Sequence, residues 1–206
     1  MKYKLFLLLF ALLMPLTATA AGLGPSERIS ARDVLRGRFV QEHHSKGMAK
    51  PLRSEGSFVL SPDKGLIWAI EKPLPMTFVV SSDGMLQTVG GLPLLRMPAD
   101  KMPYLPRITH LVRASLLGDW DALEPDFAIS DSGNAKRWRV QLAPKANAGA
   151  ALPFQSITAS GGRFVDRADV MRNDGLPESF AFTQQTVSAA PLTPAESAAF
   201  AAVAKP

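Results

Sequence analysis

The 206-residue chain contains no cysteine. That absence excludes a disulfide framework, a thiolate nucleophile and a cysteine-ligated metal. Histidine is scarce as well: His43, His44 and His110 are the whole set. His43 and His44 are adjacent, and adjacent strand residues point to opposite faces. They do not form a metal site from a regular strand, and no acidic ligand sits at metal spacing. A serine elbow of the Gly-x-Ser-x-Gly type is missing. Gly56-Ser57 runs on into Phe58-Val59, and Ser132-Gly133 lacks the second glycine. There is no glycine-rich phosphate loop, so no nucleotide cofactor is expected. The arginines are scattered without a basic stripe interleaved with aromatics, which argues against a nucleic-acid partner. The chemistry-bearing residues therefore read as those of a non-enzyme with no cofactor and no metal.

Charge of one sign is also lacking. There are 23 basic and 18 acidic residues, a formal net charge of +5. Two of the bases, Lys2 and Lys4, precede the apolar run Leu5–Leu13, and Ala18-Thr19-Ala20 is a small-x-small cleavage site. This is the layout of an export signal over residues 1–20, with the mature chain beginning at Ala21. The run is short against the ~30 Å of a bilayer core, and no later segment is apolar enough to span. Without a cysteine after the cleavage site the mature chain cannot be lipidated there. The expected compartment is the periplasm, and the expected balance after cleavage is 21 bases against 18 acids, or +3.

What is present is β-structure. Period-two alternation and turn residues mark strands over 35–44, 57–61, 66–71, 76–81, 126–130, 135–142, 154–160, 163–172 and 179–187. Pro62-Asp63-Lys64-Gly65, Asp83-Gly84, Asp131-Ser132-Gly133-Asn134, Gly161-Gly162 and Asn173-Asp174-Gly175 are the turns between them. Strands at such short intervals imply one large antiparallel sheet. Three segments break the rhythm. Ser26-Glu27-Arg28-Ile29 reads as the start of a short helix capped by Ser26. Leu105–Leu117 carries Ile108, Leu111, Val112, Ser115 and Leu116 at helical spacing, with Arg107, His110 and Arg113 on the opposite face. Thr193-Pro194-Ala195-Glu196 opens a third helix, with threonine as N-cap, proline at N1 and glutamate at N3.

Several strands are apolar on both faces, as in Phe58-Val59-Leu60, Leu66-Ile67-Trp68-Ala69-Ile70 and Phe78-Val79-Val80. One face can pack on helices, while the other either lines a cavity or completes an ordinary two-layer core. The acids Asp119, Asp121, Glu124 and Asp126 cluster in sequence. They read as complements to a helix dipole, with a periplasmic hydrolase using convergent carboxylates as the alternative.

The order of these motifs resembles the LolA family of periplasmic lipoprotein carriers, over most of Ile29 to Val187. Phe39-Val40-Gln41 matches the family's Phe-x-Gln on the first strand. Gly56-Ser57-Phe58, Leu66-Ile67-Trp68 and Lys72-Pro73 match its Gly-x-Phe, Phe-x-Trp and x-Pro positions, and Asp83-Gly84 matches its hairpin. Leu116-Leu117-Gly118-Asp119-Trp120 and the run Trp138 to Pro144 look like a LolA-related subgroup often encoded among genes for lipid-linked pigments or glycolipids of the outer membrane.

The resemblance implies a mainly β fold, α+β in composition. It would be an incomplete antiparallel barrel of about eleven strands, with a lid of short helices over an apolar cavity, all within residues 21–206. It implies that one face of Phe39, Phe58, Leu60, Trp68, Ile70, Phe78, Val80, Trp138 and Val140 lines the cavity. Leu105–Leu117 would then be the lid helix, presenting Ile108, Leu111, Val112 and Leu116. It implies carriage of lipoprotein acyl chains from an inner-membrane lipoprotein-releasing transporter to an outer-membrane acceptor. For the subgroup, the implied cargo is a glycolipid or polyene lipid handed over by a lipid exporter. LolA carriers have an Arg-Pro just after the second strand, whose arginine helps hold the lid closed. This chain has Ser61-Pro62-Asp63-Lys64, with Pro62 at the arginine's position.

Overall fold

A computed structural model describes residues 23–27, 29–103, 105–117, 119–146 and 152–204, without the side chains of Leu116 and Leu117. The candidate export signal lies outside the described residues. Eleven strands form one antiparallel sheet: β1 (Val34–His43), β2 (Leu52–Ser61), β3 (Gly65–Lys72), β4 (Met76–Ser81), β5 (Gly84–Val89), β6 (Leu92–Pro98), β7 (Phe127–Asn134), β8 (Arg137–Pro144), β9 (Phe154–Gly161), β10 (Val165–Arg172) and β11 (Pro177–Ser188). Their order is β6-β5-β4-β3-β2-β1-β11-β10-β9-β8-β7. Every hairpin joins neighbours, and β1 pairs with β11. The sheet is open: β6 and β7 are its two edges and do not pair. The chain passes from one edge to the other through helix α1 (Leu105–Leu117) and a 3-10 turn at Asp121–Leu123.

The register sorts the side chains. Opposed residues of an antiparallel pair share a face. Leu35↔Leu60, Gly37↔Phe58 and Phe39↔Gly56 therefore define the inner face of β1 and β2. Phe58↔Trp68 and Leu60↔Leu66 carry it to β3, and Trp68↔Phe78 and Leu66↔Val80 carry it to β4. Gly37 is required where it stands: a Cβ there would lie 2.6 Å from the Phe58 ring. Phe58 thus lies over the bare backbone of its cross-strand partner. Opposite Gly37, the β1–β11 register slips between Arg36 and Arg38, and Gln184 takes φ 52°. Such a bulge bends a sheet locally.

The two helices lie on opposite faces. On the inner face, α1 buries Leu111 and Ala114 against Trp138, Val140 and Leu142, and Val112 packs on the Phe39–Phe58 cluster. Helix α2 (Pro194–Val203) packs Phe200 and Val203 on Ile67, Val79 and Leu86 of the outer face. Its start has the expected capping box: Thr193 accepts from the Glu196 backbone and Glu196 accepts from the Thr193 N–H. Arginines of the sheet hold both ends of α2. Arg36 donates twice to the Glu196 carboxylate, at 2.8 and 2.7 Å. Arg96 donates to the carbonyls of Ala202 and Val203 in the last turn. The strands apolar on both faces are thereby explained: Phe58, Leu60, Leu66 and Trp68 of β2 and β3 belong to the inner cluster, while Val59, Ile67 and Val79 of β2–β4 belong to the outer one with α2. Of the helices expected to act as a lid, α1 alone lies on the inner face.

Three local readings differ from the structure. Among the described residues no helix forms at the start, where Ser26 and Glu27 bend. The Ser26 and Glu27 N–H groups donate to the carbonyls of Gly162 and Arg163 in the β9–β10 turn, which competes with helical pairing. The turn expected at 131–134 is extended strand, and the chain reverses at Ala135-Lys136 instead. There Asn134 Oδ1 accepts from the Lys136 and Arg137 N–H groups. Strands β5 and β6, either side of the Gly90-Gly91 turn, are not among the strands expected from the sequence; Pro93 and Pro98 break the strand pattern in β6.

Candidate functional site

The nine residues singled out for a cavity all fall on the inner face of the sheet. The register that groups Phe39, Phe58, Leu60, Trp68, Ile70, Phe78 and Val80 across β1–β4 is matched on the other half by Val140↔Ala159 and Trp138↔Gly161. They do not form one cluster. Phe39, Phe58, Leu60, Trp68 and Ile70 pack together with Leu35, Phe182 and Val187. Trp138 and Val140 belong to a second cluster, beneath Ile108, Leu111 and Ala114 of α1. Val112 belongs to the first cluster and Leu111 to the second, so α1 bridges them. Leu116 lies in α1, with its side chain outside the described residues.

The middle of the inner face is filled with aromatic rings. Phe39 stacks on Trp68 with centroids 3.6 Å apart, and the Phe58 ring lies 6.1 Å from Trp68. Phe180 and Phe182 meet Trp68 edge-on at 5.8 and 6.2 Å. Edge-to-face contacts of this kind add to the burial energy. Sequence reasoning missed Phe180 and Phe182. The signal was the period-two pair Phe180-Ala181-Phe182 inside a strand already recognised.

Open space remains at one end of this face. A narrow apolar cleft, open to solvent at its mouth, runs between α1 and the ends of β2, β3 and β4. Leu60, Leu66 and Val80 form its floor, and Ile108, Thr109 and Val112 its roof. Pro62 lines it where LolA carriers have arginine. The cation at this cleft is Arg113 of α1, which the helical pattern had placed on the opposite face. Thr109 spends its hydroxyl on the Leu105 carbonyl of its own helix at 2.9 Å, so the roof presents mainly carbon.

Two of the four acids that could have served a hydrolase have other partners, and the other two do not converge on them in a buried site. Asp119 Oδ1 accepts from the Ala122 N–H at 3.3 Å, capping the 3-10 turn. Asp126 pairs with Arg107 at 3.5 Å, tying α1 to the start of β7. Asp121 and Glu124 are exposed. His43 lies 3.4 Å from Glu178 and contacts Arg172. Among the described residues no group of three histidine, aspartate or glutamate side chains could hold a metal.

An eleven-stranded open sheet with a helix across its inner face, over an apolar cleft, points to a binding protein. Residues 26–163 match the family model described as outer membrane lipoprotein carrier protein LolA-like. The chain belongs to the LolA-like family. Members of this family are periplasmic binding and carrier proteins rather than enzymes. No curated protein matches the chain. Among solved structures, a LolA superfamily protein from Nitrosomonas europaea matches at 8% identity and a TM-score of 0.42, over 80% of this chain and 90% of that one. A DUF1329 family protein from Desulfovibrio piger matches at 10% identity and a TM-score of 0.37, over 75% of this chain and 85% of that one. No helix among the described residues is long and apolar enough to cross a membrane. In this LolA-like chain the cleft wall is built differently from the arginine-bearing pattern of the lipoprotein carriers, with proline in the strand-end turn and arginine on the helix.

Proposed function

We propose that this LolA-like protein is a periplasmic carrier. It takes the acyl chains of lipoproteins into the cleft beneath α1 and moves them from an inner-membrane releasing transporter to an outer-membrane acceptor. Residues 1–20 serve as the export signal and 21–206 as the carrier domain. The apolar cleft between α1 and β2–β4 is the observation that carries this reading.

An acyl chain of sixteen carbons costs on the order of 12 kcal/mol to expose to water, at about 0.8 kcal/mol per CH₂. A carrier must bury comparable area and still let go, which requires two states of similar energy. Helix α1 can supply them. It covers the inner face through a few apolar side chains, and the connections at its two ends lead to the unpaired edges β6 and β7. Swung outward, α1 exposes the inner face to an acyl chain; returned, it covers that face again.

Native mass spectrometry of protein purified from the periplasm tests the reading, together with displacement of a fluorescent fatty acid. The wild type carries or binds acyl chains. Val112→Trp, which fills the roof of the cleft, weakens binding at least tenfold while the protein still folds. A wild type that neither carries nor binds acyl chains removes the proposal.

Pro62 in the cleft wall favours a second cargo, a glycolipid or polyene lipid passed on by a lipid exporter. Deletion of the gene separates the two. Lipoproteins that mislocalise while surface lipids stay unchanged support the first cargo, and loss of a surface lipid supports the second.

A further inference from the structure

Seven large apolar side chains are exposed among the described residues, and six of them lie at or near one end of the sheet, Leu95 standing one row further in opposite Gln87. That end carries the β1–β2, β3–β4, β5–β6 and β10–β11 turns. Met48 and Leu52 belong to the first of these turns and to the strand leaving it. Leu74 is the centre of the second, between Pro73 and Pro75, and is 58% exposed. Leu92 and Leu94 follow the Gly90-Gly91 turn at 74% and 66% exposure, with Leu95 beside them. Met171 opposes Pro177 at the fourth turn. The other end of the sheet, where the cleft lies, has no exposed large apolar residue among those described. Apolar surface scattered at random would not sort to one end of eleven strands, and a concentrated apolar patch marks an interaction site.

We infer that these turn tips dock on the surface of a phospholipid bilayer, Leu74, Leu92 and Leu94 entering the boundary between headgroups and acyl chains. The surface extends beyond the cleft and does not depend on which lipid the cleft carries.

Three observations select a bilayer over a protein strand or a second copy. First, the exposed residues are spread over four separate turns and the strands leaving them instead of lining one groove. From β6 to β10 these turns span seven strand spacings, roughly 34 Å at about 4.8 Å each, a row suited to an extended surface. Second, the edge strand beside them is poorly made for pairing. Pro93 and Pro98 remove two backbone donors from β6, and proline on an edge is a device against strand addition. Third, the nearest charges suit phosphate headgroups. The β1–β2 turn, 44–51, holds Lys46 and Lys50 and no acid. Lys72 and Arg53 are paired with Glu55 at 2.9 Å and Glu42 at 3.8 Å, and Asp174 of the β10–β11 turn, within electrostatic reach of Lys46, is paired with Arg172, so Lys46 and Lys50 are the exposed charges in excess at these tips. Apolar tips flanked by lysine are the composition of peripheral membrane contacts.

The same end leads inward. Leu92↔Val89, Val89↔Met76 and Met76↔Ile70 form one apolar row across the inner face. The next rows are Trp68↔Phe78, then Leu66↔Val80 at the cleft. An acyl chain leaving a bilayer at these tips would follow side chains of hydrocarbon to the cleft.

Flotation of the mature protein with vesicles of phosphatidylethanolamine and phosphatidylglycerol (3:1) provides the test. Wild type is expected to float, and Leu74→Ser/Leu92→Ser/Leu94→Ser to bind at least tenfold less, with unchanged melting and unchanged binding of a fluorescent fatty acid. Lys46→Glu/Lys50→Glu should weaken binding several-fold on these vesicles and little on phosphatidylcholine alone. Val112→Trp should float normally while losing the fatty acid, so cleft and tips fail separately. A wild type that never floats overturns the inference, as does a triple variant that floats like the parent. A concentration-dependent dimer abolished by the triple variant, without vesicle binding, overturns it in favour of a second copy.

Discussion

Replacing Phe39 with alanine is expected to lower the unfolding free energy by about 3–5 kcal/mol, the range for a fully buried phenylalanine. The ring is 1% exposed and stacked on Trp68 at 3.6 Å. Its cross-strand partner is Gly56, which offers no side chain to fill the gap. Collapse is restricted on the glycine side as well: a Cβ on Gly56 would lie 1.9 Å from the Ala69 carbonyl oxygen, so the β2 and β3 backbones already touch there. For a chain of this size each kcal/mol moves Tm by about 2–4 °C, so a drop of roughly 10 °C should appear in a thermal scan. Urea unfolding should show a lower midpoint at unchanged slope. Phe39→Leu, which keeps most of the volume, should recover more than half of the loss. A change below 1 kcal/mol would mean that the rings of the inner face shift freely, and the floor of the site would then be soft.

The second large effect is electrostatic and sits on the other face. The paired Arg36 guanidinium holds the Glu196 carboxyl at about 2, down from 4.5, and the Thr193 N–H contributes in the same direction. A carboxylate depressed in the folded state stabilises fully above its unfolded value, and that contribution fades as pH falls toward the folded value. The window is therefore from about pH 5 down to about pH 2. The pair is largely but not wholly buried, with 14% of the Glu196 and 28% of the Arg36 side chain exposed. Allowing for that exposure, about 2 kcal/mol is expected. Glu196→Gln keeps an oxygen to accept the Thr193 N–H and removes the charge. Urea unfolding of the two proteins should differ by about 2 kcal/mol at pH 7 and converge near pH 2. A constant difference across that range would assign the effect to packing of α2.

Much of this molecule can be read from its chain. The α1 segment, Leu105–Leu117, shows itself through spacing alone, because one helix face must meet a sheet. The start of α2 shows itself through Thr193, Pro194 and Glu196, whose roles are local. The strands with polar and apolar residues in alternation, such as Trp138 to Leu142, are equally plain. What fails is what depends on distant partners. The segment after Ser26 has a good helical cap, yet its N–H groups are taken by Gly162 and Arg163, more than a hundred residues away. Leu66–Ile70 of β3 and Phe78–Val80 of β4 are apolar on both faces, and nothing in them says that α2 covers the outer side. The candidate residues of the inner face were nameable, but their division into a ring-filled centre and an open cleft was not. That division depends on Phe180 and Phe182 reaching Trp68 from the far end of the chain, across the β1–β11 pairing.

That pairing has a consequence for how the protein is made. Strands β1–β6 form a meander of sequence neighbours, and so do β7–β11; only β1 and β11 bring the two runs into register. It is the pairing of greatest sequence separation in the sheet, and long-range pairing is slow because loop entropy is spent before contacts repay it. Each meander can form as its residues become available, but the ring cluster needs both. The last strand of the sheet thus completes the interior that the first one began, and a chain halted before β11 has two unjoined half-sheets and a ring cluster without Phe180 and Phe182.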